Sequence, residues 1–154
     1  MDWNYLLWRF DGRIARRAFW IGFLAVGAAE LICHAIAQSL DLDRLSSTIS
    51  IAFGYPEFAL LAKRGHDRNV STWVPGAFYA YSALIDFLFV IGAAGTQEDP
   101  SSLVVVLTIP WIVFATALLI EFGLRKGVSG PNRFGPDPLG PRLVTHTGDG
   151  PEED

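Results

Sequence analysis

The sequence has few of the residues that build disulfide or zinc frameworks, and one long stretch has no charge. Cys33 is the single cysteine among 154 residues, which excludes an intramolecular disulfide and a zinc site made of several thiolates. The 20 positions from Ser101 to Ile120 contain no charged residue. A helix of that length can cross a hydrocarbon core of roughly 30 Å, whereas a helix of a water-soluble bundle needs a polar face. The sequence therefore predicts a membrane protein.

The sequence also lacks the motifs that would indicate a reaction. No nucleophile elbow, phosphate-binding loop or set of side chains at metal-ligand spacing is present. The net charge of -4, with acidic residues gathered at the C-terminal end, gives no support to nucleic-acid binding. We therefore expect a protein that is not an enzyme, with no cofactor, no bound metal and no nucleic-acid partner.

What the sequence does contain is a set of basic clusters separated by apolar stretches. Eleven of the twelve Lys and Arg residues lie in three clusters, and only Arg44 lies elsewhere. The clusters are Arg9, Arg13, Arg16 and Arg17; Lys63, Arg64 and Arg68; and Arg125, Lys126, Arg133 and Arg142. The apolar stretches cover about 18–40, 46–62, 73–95 and 103–123. This pattern predicts an all-α fold, an integral membrane four-helix bundle whose membrane domain covers residues 1–142.

The two ends of the chain differ from these stretches. Near the N-terminus, apolar residues recur at helical spacing between the arginines, which predicts a short helix lying at the lipid headgroup surface. These residues are Trp3, Leu6, Leu7, Phe10 and Ile14. After the last stretch, Gly127 to Pro141 is rich in Gly and Pro and predicts an irregular tail. The polar, acidic residues 143–154 are predicted to be disordered.

The basic clusters also predict an orientation. Lys and Arg residues in short loops are retained on the cytoplasmic side of a membrane. The N-terminus, the loop after the second stretch and the C-terminal tail carry the three clusters, whereas the two remaining loops carry only Arg44. Four spans with both termini in the cytoplasm place every cluster inside.

Three short motifs resemble one protein family. GRIARRAFW (Gly12–Trp20), KRGHDRNVSTW (Lys63–Trp73) and GPNRFGPDP (Gly130–Pro138) resemble the small bacterial inner-membrane proteins of the domain of unknown function 805 family. The middle motif departs from the family pattern, because Gly65 replaces a leucine and Asn69 and Thr72 replace glycines. The resemblance implies the bacterial inner membrane as the location and implies no activity.

Four polar residues within the predicted spans form the first candidate site. Each ionised acid near a bilayer centre raises the free energy of membrane insertion by about 2.5 to 3.5 kcal/mol, so its presence in a span calls for a structural or functional explanation. They are Glu30, His34, Glu57 and Asp86. One interpretation is a hydrogen-bonded cluster that fixes helix register, with the acids neutral. The others are a proton, cation or solute pathway of a transporter or channel, and a metal site.

The basic face that the topology places in the cytoplasm is the second candidate site. Its residues are Arg13, Arg16, Arg17, Lys63, Arg64, His66, Asp67, Arg68 and Arg133. Such a surface attracts anionic phospholipids, and it could also contact another membrane protein. The alternatives are a basic loop with no further role, and lipid chemistry carried by His66 and Asp67. We also expect Arg133 and Phe134 to fold back onto this loop.

Small residues on the spans suggest a further kind of contact. Ala25, Ala29, Cys33 and Ala37 recur every four residues on the first span, which predicts close helix packing. This stripe could be used within the bundle or between the subunits of a homo-oligomer. On balance the sequence predicts a multi-pass inner-membrane protein that acts through lipid or protein contacts, with transport as the alternative.

Overall fold

The computed structural model describes residues 1–42, 45–95 and 99–140. Across these residues the chain is all-helical and contains no β-strand. It forms five α-helices, the last of which continues into one π-helical segment. The helices are α1 Trp3–Trp8, α2 Arg16–Ser39, α3 Ser46–Asp67, α4 Trp73–Val90 and α5 Ser102–Leu118, and the π-helical segment is Leu119–Leu124.

Three helices in the described part of the chain are long and apolar enough to cross a membrane. They are Arg16–Ser39, Trp73–Val90 and the continuous helix Ser102–Leu124. The 22-residue helix α3 has the length but a more polar composition, because it contains Glu57 and ends in the charged stretch from Lys63 to Asp67. The large apolar side chains on the outside of these helices support contact with lipid, since Leu31 and Val113 are 71% and 64% exposed.

The helices pack in chain order and close into a bundle at one end. Helix α2 packs along α3, α3 along α4, and α4 along α5, while the π-helical segment returns to α2. Gly22 of α2 permits a close approach, because a Cβ atom there would overlap the side chains of Leu60 and Leu6. Phe19 and Phe122, which are fully buried, join this core from α2 and the π-helical segment.

Helix α3 differs from the second predicted span, which ended near residue 62. It continues through the basic stretch to Asp67, so Lys63, Arg64 and His66 lie on a helix and not in a loop. The helix then ends in a Schellman turn, in which Val70 N–H donates to the Gly65 carbonyl at 2.8 Å. Asn69 takes the left-handed conformation of this turn at φ 59°. Asparagine tolerates that conformation better than most residues, which explains why it can replace a glycine.

The N-terminal helix is also different from its prediction. Helix α1 ends at Trp8, before Phe10 and Ile14, which were predicted to continue the same apolar face. Leu6 and Ile14 are 2% and 4% exposed and belong to the protein core. α1 therefore packs on α2 and α3, a contact that the predicted position at the lipid headgroup surface did not include.

The remaining boundaries are close to those predicted. Helix α4 ends at Val90, five residues before the predicted limit, and α5 with its π-helical segment covers the fourth predicted span. After Leu124 the chain is irregular, with a turn in which Asn132 and Gly135 exchange backbone hydrogen bonds of 3.0 Å. Arg44, Arg142 and the predicted acidic tail 143–154 lie outside the described residues.

Candidate functional site

The three family-like motifs meet at the end of the bundle where α2 contacts the π-helical segment. Five ionisable side chains there are buried, and we call them, with the backbone groups that they contact, the polar cap. Its members are Arg13, Lys63, Arg64, His66 and Asp67, and none is more than 6% exposed. Buried charge is stable only when it is paired and hydrogen-bonded, so the partners of each side chain decide what the cap does.

Asp67 is the centre of the cap and pairs with two arginines. Arg13 donates to Asp67 Oδ1 from Nε at 3.1 Å and from Nη2 at 2.9 Å. Arg64, one helical turn before Asp67, donates to the other carboxylate oxygen. All three side chains are at most 4% exposed. One carboxylate therefore faces two buried guanidinium groups, and the excess positive charge must be balanced by other acceptors.

Backbone carbonyl oxygens at the end of the last helix supply part of that balance. Arg64 donates to the carbonyls of Phe122 at 2.6 Å and Arg125 at 2.5 Å. The last carbonyls of a helix have no partner within the helix and carry the negative end of its dipole. Desolvation lowers the pKa of Arg64, and the neighbouring Asp67 carboxylate opposes this shift. The guanidinium thus caps a helix C-terminus with a full positive charge.

Two side chains of α2 complete this C-terminal cap. Trp20 Nε1 donates to the Gly123 carbonyl at 3.0 Å, and Arg16 donates to the Leu124 carbonyl at 3.1 Å. Gly123 lies directly against the Trp20 ring, where a Cβ atom would overlap it. These contacts join α2 to the π-helical segment and close the bundle at this end.

Lys63 caps the C-terminal end of α1 in the same way. Its ammonium group donates to the carbonyls of Tyr5, Leu6 and Arg9 near the end of α1, with the first two at 2.7 and 2.6 Å. The side chain is fully buried, and burial lowers the pKa of Lys63 to about 8. Lys63 therefore joins α3 to the C-terminal end of α1, more than 50 residues away in sequence.

His66 joins the tail to the loop before α2. Its ring stacks on Phe134, with centroids 3.9 Å apart. Nδ1 lies 2.9 Å from the Gly12 carbonyl oxygen, which can only accept, so Nδ1 carries the proton in the neutral ring. Nε2 then accepts from the Thr72 hydroxyl at 2.7 Å. Burial lowers the pKa of His66, and the nearby charge of Arg133 adds to this, so the neutral ring is favoured.

Arg13 connects the cap to the irregular tail. It donates to the carbonyls of Val128 at 2.6 Å and Gly130 at 2.7 Å. Gly127 lies against Asp67 so closely that a Cβ atom would overlap the carboxylate. Among the described residues, every buried side-chain nitrogen and oxygen atom has a hydrogen-bond partner. The polar cap is thus a hydrogen-bonded network. Arg64 and Asp67 also line a small pocket of about 280 Å³ beside the irregular tail.

The nine residues predicted for the basic face fall into three groups by burial. The five members of the polar cap are buried. The exposed candidates are Arg16, Arg17 and Arg133. Arg68 is intermediate, with a side chain 20% exposed and paired to Glu121 at 2.8 Å.

Three of the four polar residues predicted within the spans lie away from the cap, around one cavity of about 980 Å³ between α2, α3, α4 and α5. Glu30, Glu57 and Asp86 line it. Tyr79, which sequence reasoning missed, donates from its hydroxyl to Glu57 at 3.0 Å. His34 does not line the cavity, but its Nε2 lies 3.6 Å from Glu30 and 3.2 Å from the Ser50 hydroxyl. No group of side chains in the described ranges is suited to hold a metal ion.

These features define a class: a small all-helical protein with membrane-length apolar helices, held at one end by a buried polar cap built from three separate motifs. Residues 7–136 match the family described as "Protein of unknown function (DUF805)", and the chain belongs to that family. It is also similar to "Uncharacterized protein YiiR" of Escherichia coli (strain K12), with 28% identity over 132 residues, 85% of this chain and 86% of that protein. The protein of the same name from Escherichia coli O157:H7 matches equally. No solved structure shows significant similarity.

Proposed function

We propose that the chain is a four-span protein of the bacterial inner membrane with both termini in the cytoplasm. The fourth span in this proposal is the part of α3 that precedes Lys63, because α3 packs between α2 and α4, which are long and apolar enough to cross a membrane. The start of α2, the end of α3 and the end of the last helix meet in the polar cap. The basic clusters lie at this end, and the positive-inside rule favours the cytoplasm for it.

The proposed function of the cytoplasmic end is to contact anionic phospholipid or a membrane-protein partner without catalysis. One observation carries this proposal: besides the buried bases that hold the fold and the bases that pair with carboxylates, the cytoplasmic end has four exposed bases without acidic partners. In the described part of the chain no carboxylate pairs with Arg16, Arg17, Lys126 or Arg133. These four side chains are exposed next to the cap. An unpaired base near a membrane surface attracts anionic lipid by about 1 kcal/mol.

The absence of catalysis in this proposal follows from the state of His66 and Asp67. Asp67 already accepts from two arginines, and both ring nitrogens of His66 have partners. A general acid or base must be within hydrogen-bond reach of a substrate, whereas both residues are almost fully buried. The hydrogen bonds and ion pairs of both residues stabilise the fold.

Arg17 and Lys126 allow a direct test, since both are exposed and neither makes a contact that holds the cap. The charge-removing pair Arg17→Gln with Lys126→Gln is compared with the charge-conserving pair Arg17→Lys with Lys126→Arg. The first pair is expected to weaken binding of anionic lipid by about 2 kcal/mol, about thirtyfold. Native mass spectrometry of the protein released from nanodiscs of mixed lipid measures the bound lipid. Equal retention by both pairs, or no preference of the wild type for anionic lipid, would count against the proposal.

Transport is a second candidate, and one observation favours it. Glu30, Glu57 and Asp86, which come from three different helices, line a single cavity within the bundle. Charged side chains inside a membrane protein commonly mark ion or proton pathways. Neither the family description nor the YiiR relatives add support for transport.

Flux into proteoliposomes separates the two candidates. The measurement compares wild type, Glu30→Gln and Asp86→Asn with vesicles that contain no protein, using a pH-sensitive and a cation-sensitive dye. Transport predicts flux from wild type that both variants reduce. Equal signals from all four samples would remove transport and leave lipid contact unaffected.

A further inference from the structure

The cavity within the bundle has the dimensions and walls of a ligand site. Its volume of about 980 Å³ lies at the upper end of the range of about 300 to 1,000 Å³ that small-molecule pockets occupy. Aromatic rings from four helices line it, including Phe23, Phe58, Phe78 and Trp111. Such walls bury the apolar body of a ligand, and ring faces also attract cations.

The charge of the cavity has one sign. Glu30, Glu57 and Asp86 are among its lining residues, and among the residues that the structure describes no Lys, Arg or His lines it. Glu30 lies within electrostatic range of both Glu57 and Asp86. The Tyr79 hydroxyl donates to one oxygen of Glu57, which leaves the other carboxylate oxygen for a further partner. Carboxylates alone would not make a site, but here they stand at the wall of an apolar, aromatic cavity.

The cavity is closed at one end and flanked by two helices that pack little against each other. Trp20 and the π-helical segment join α2 to the end of the last helix. Away from this closure, α2 and α5 have no extended contact in the described ranges, although both line the cavity. A ligand can therefore enter between α2 and α5, from within the bilayer.

We propose that this cavity binds an amphipathic organic cation, a molecule with an aromatic or alkyl body and a single permanent positive charge. The charge complements Glu57 and Asp86, and the body fills the space between Phe58 and Trp111. A bare metal ion or a proton needs far less room, and an anion would be repelled by the acids. The inference goes beyond lipid contact at the cytoplasmic surface and does not require that the ligand is transported.

Tetraphenylphosphonium is a suitable probe, and tetraphenylborate, of the same shape and opposite charge, is its control. Binding to the full-length protein in detergent is measured by equilibrium dialysis against micelles without protein. We expect saturable binding of one phosphonium per chain and no saturable binding of the borate. Phosphonium binding that does not exceed that of empty micelles, or equal binding of both ions, would overturn the inference.

Variants place the bound cation in the cavity. Glu57→Gln with Asp86→Asn keeps the side-chain shapes and the acceptor for Tyr79, and is expected to weaken phosphonium binding at least about tenfold. Asp11→Asn removes an exposed acid outside the cavity and should change nothing. Thr108→Phe narrows the cavity without changing its charge and should also weaken binding, which provides a second test if the double variant does not fold. Unchanged binding in a folded double variant or in Thr108→Phe would contradict the proposed site.

The same measurement separates this inference from the lipid proposal. The pair Arg17→Gln with Lys126→Gln changes only the exposed surface and should bind the phosphonium like the wild type. Removal of two positive charges would strengthen binding of a cation to the surface, so tighter phosphonium binding by that pair would mean that the probe reports surface charge, and would overturn the cavity assignment. Loss of lipid retention with intact phosphonium binding would support both.

Discussion

Asp67 is the residue whose replacement tests the polar cap most severely. Asp67→Asn keeps the size of the side chain and removes its charge, so that the guanidinium groups of Arg13 and Arg64 lose their shared carboxylate. Their side chains are each 1% exposed, and water cannot replace the lost partner. Removing one partner of a buried ion pair typically costs about 3 to 5 kcal/mol, because an uncompensated charge stays buried. Because the two arginines also donate to backbone carbonyls, we expect a loss of stability in the lower part of this range.

Glu121 provides a matched control, because it too accepts hydrogen bonds from two arginines. Arg68 donates to Glu121 Oε1 at 2.8 Å, and Arg125 donates to Oε2 at 2.5 Å. The difference is burial, since the Glu121 side chain is 30% exposed and that of Arg125 is 61% exposed. Exposed pairs contribute at most about 1 kcal/mol. Glu121→Gln is therefore expected to be milder than Asp67→Asn by about 2 to 4 kcal/mol.

The two variants are compared by unfolding in mixed micelles of a mild detergent and dodecyl sulfate, followed by circular dichroism and tryptophan fluorescence. Five tryptophans provide the signal, and Trp20 lies beside the cap. Combining Asp67→Asn with Arg13→Gln in a double-mutant cycle measures the coupling between the two side chains, expected at about 0.5 to 3 kcal/mol. Equal losses for Asp67→Asn and Glu121→Gln, or no coupling with Arg13, would refute the cap as the element that holds this end together.

Three further predictions concern the cap and its borders. The folded-state pKa of His66 lies below its ordinary value of 6.5, so the unfolded chain binds the proton first and stability falls as pH decreases through 6.5. In thermal unfolding from pH 8 to pH 5, His66→Gln should therefore lose less stability than wild type. Equal losses of stability would contradict this. Gly127→Ala should lower the unfolding midpoint and expose the tail to protease, because the added Cβ atom would overlap the Asp67 carboxylate. Digestion of the variant at the wild-type rate would argue against this contact. Because Asn69 has φ 59°, Asn69→Gly should keep the free energy of unfolding, whereas Asn69→Ala should lower it by about 1 kcal/mol in the same assay. Identical free energies of unfolding for the two variants would mean that the left-handed turn is not required.

The positions of the helices could be predicted well from the sequence because their signals are local. Runs of apolar residues of membrane length predicted α2, α4 and α5 within a few residues, apart from the end of α4. Family membership was also predictable and is confirmed over residues 7–136. These properties depend on composition and on short motifs that survive in a single sequence.

The end of α3 could not be placed by the same means. Charged residues after an apolar stretch normally mark a loop, and Lys63 and Arg64 were interpreted in that way. They remain helical because their partners are carbonyls of Leu6 and Phe122, which lie 57 and 58 residues away in sequence. One local signal pointed to the longer helix: Asn69 is suited to the left-handed residue that follows a helix C-terminus.

The candidate sites were predicted in part. The acids Glu30, Glu57 and Asp86 could be selected because a charge within a span needs a reason, and the structure brings all three to one cavity. Tyr79 and Trp111 were missed because aromatic residues are common in spans and carry no signal until their neighbours are known. The small-residue stripe has Ala25 and Ala29 exposed on α2, so packing within the bundle does not use them, and a homo-oligomer remains a prediction.

In the proposed topology, the polar cap and the exposed bases around it lie on the cytoplasmic side of the inner membrane. Cysteine labelling tests it, starting from Cys33→Ser and adding either Leu42→Cys between α2 and α3 or Ser129→Cys beside the cap. Both positions are exposed. In spheroplasts, a membrane-impermeant maleimide should label position 42 at once and position 129 only after lysis. Labelling of position 129 in intact spheroplasts, with position 42 protected, would contradict the orientation and with it the proposed lipid-contact face.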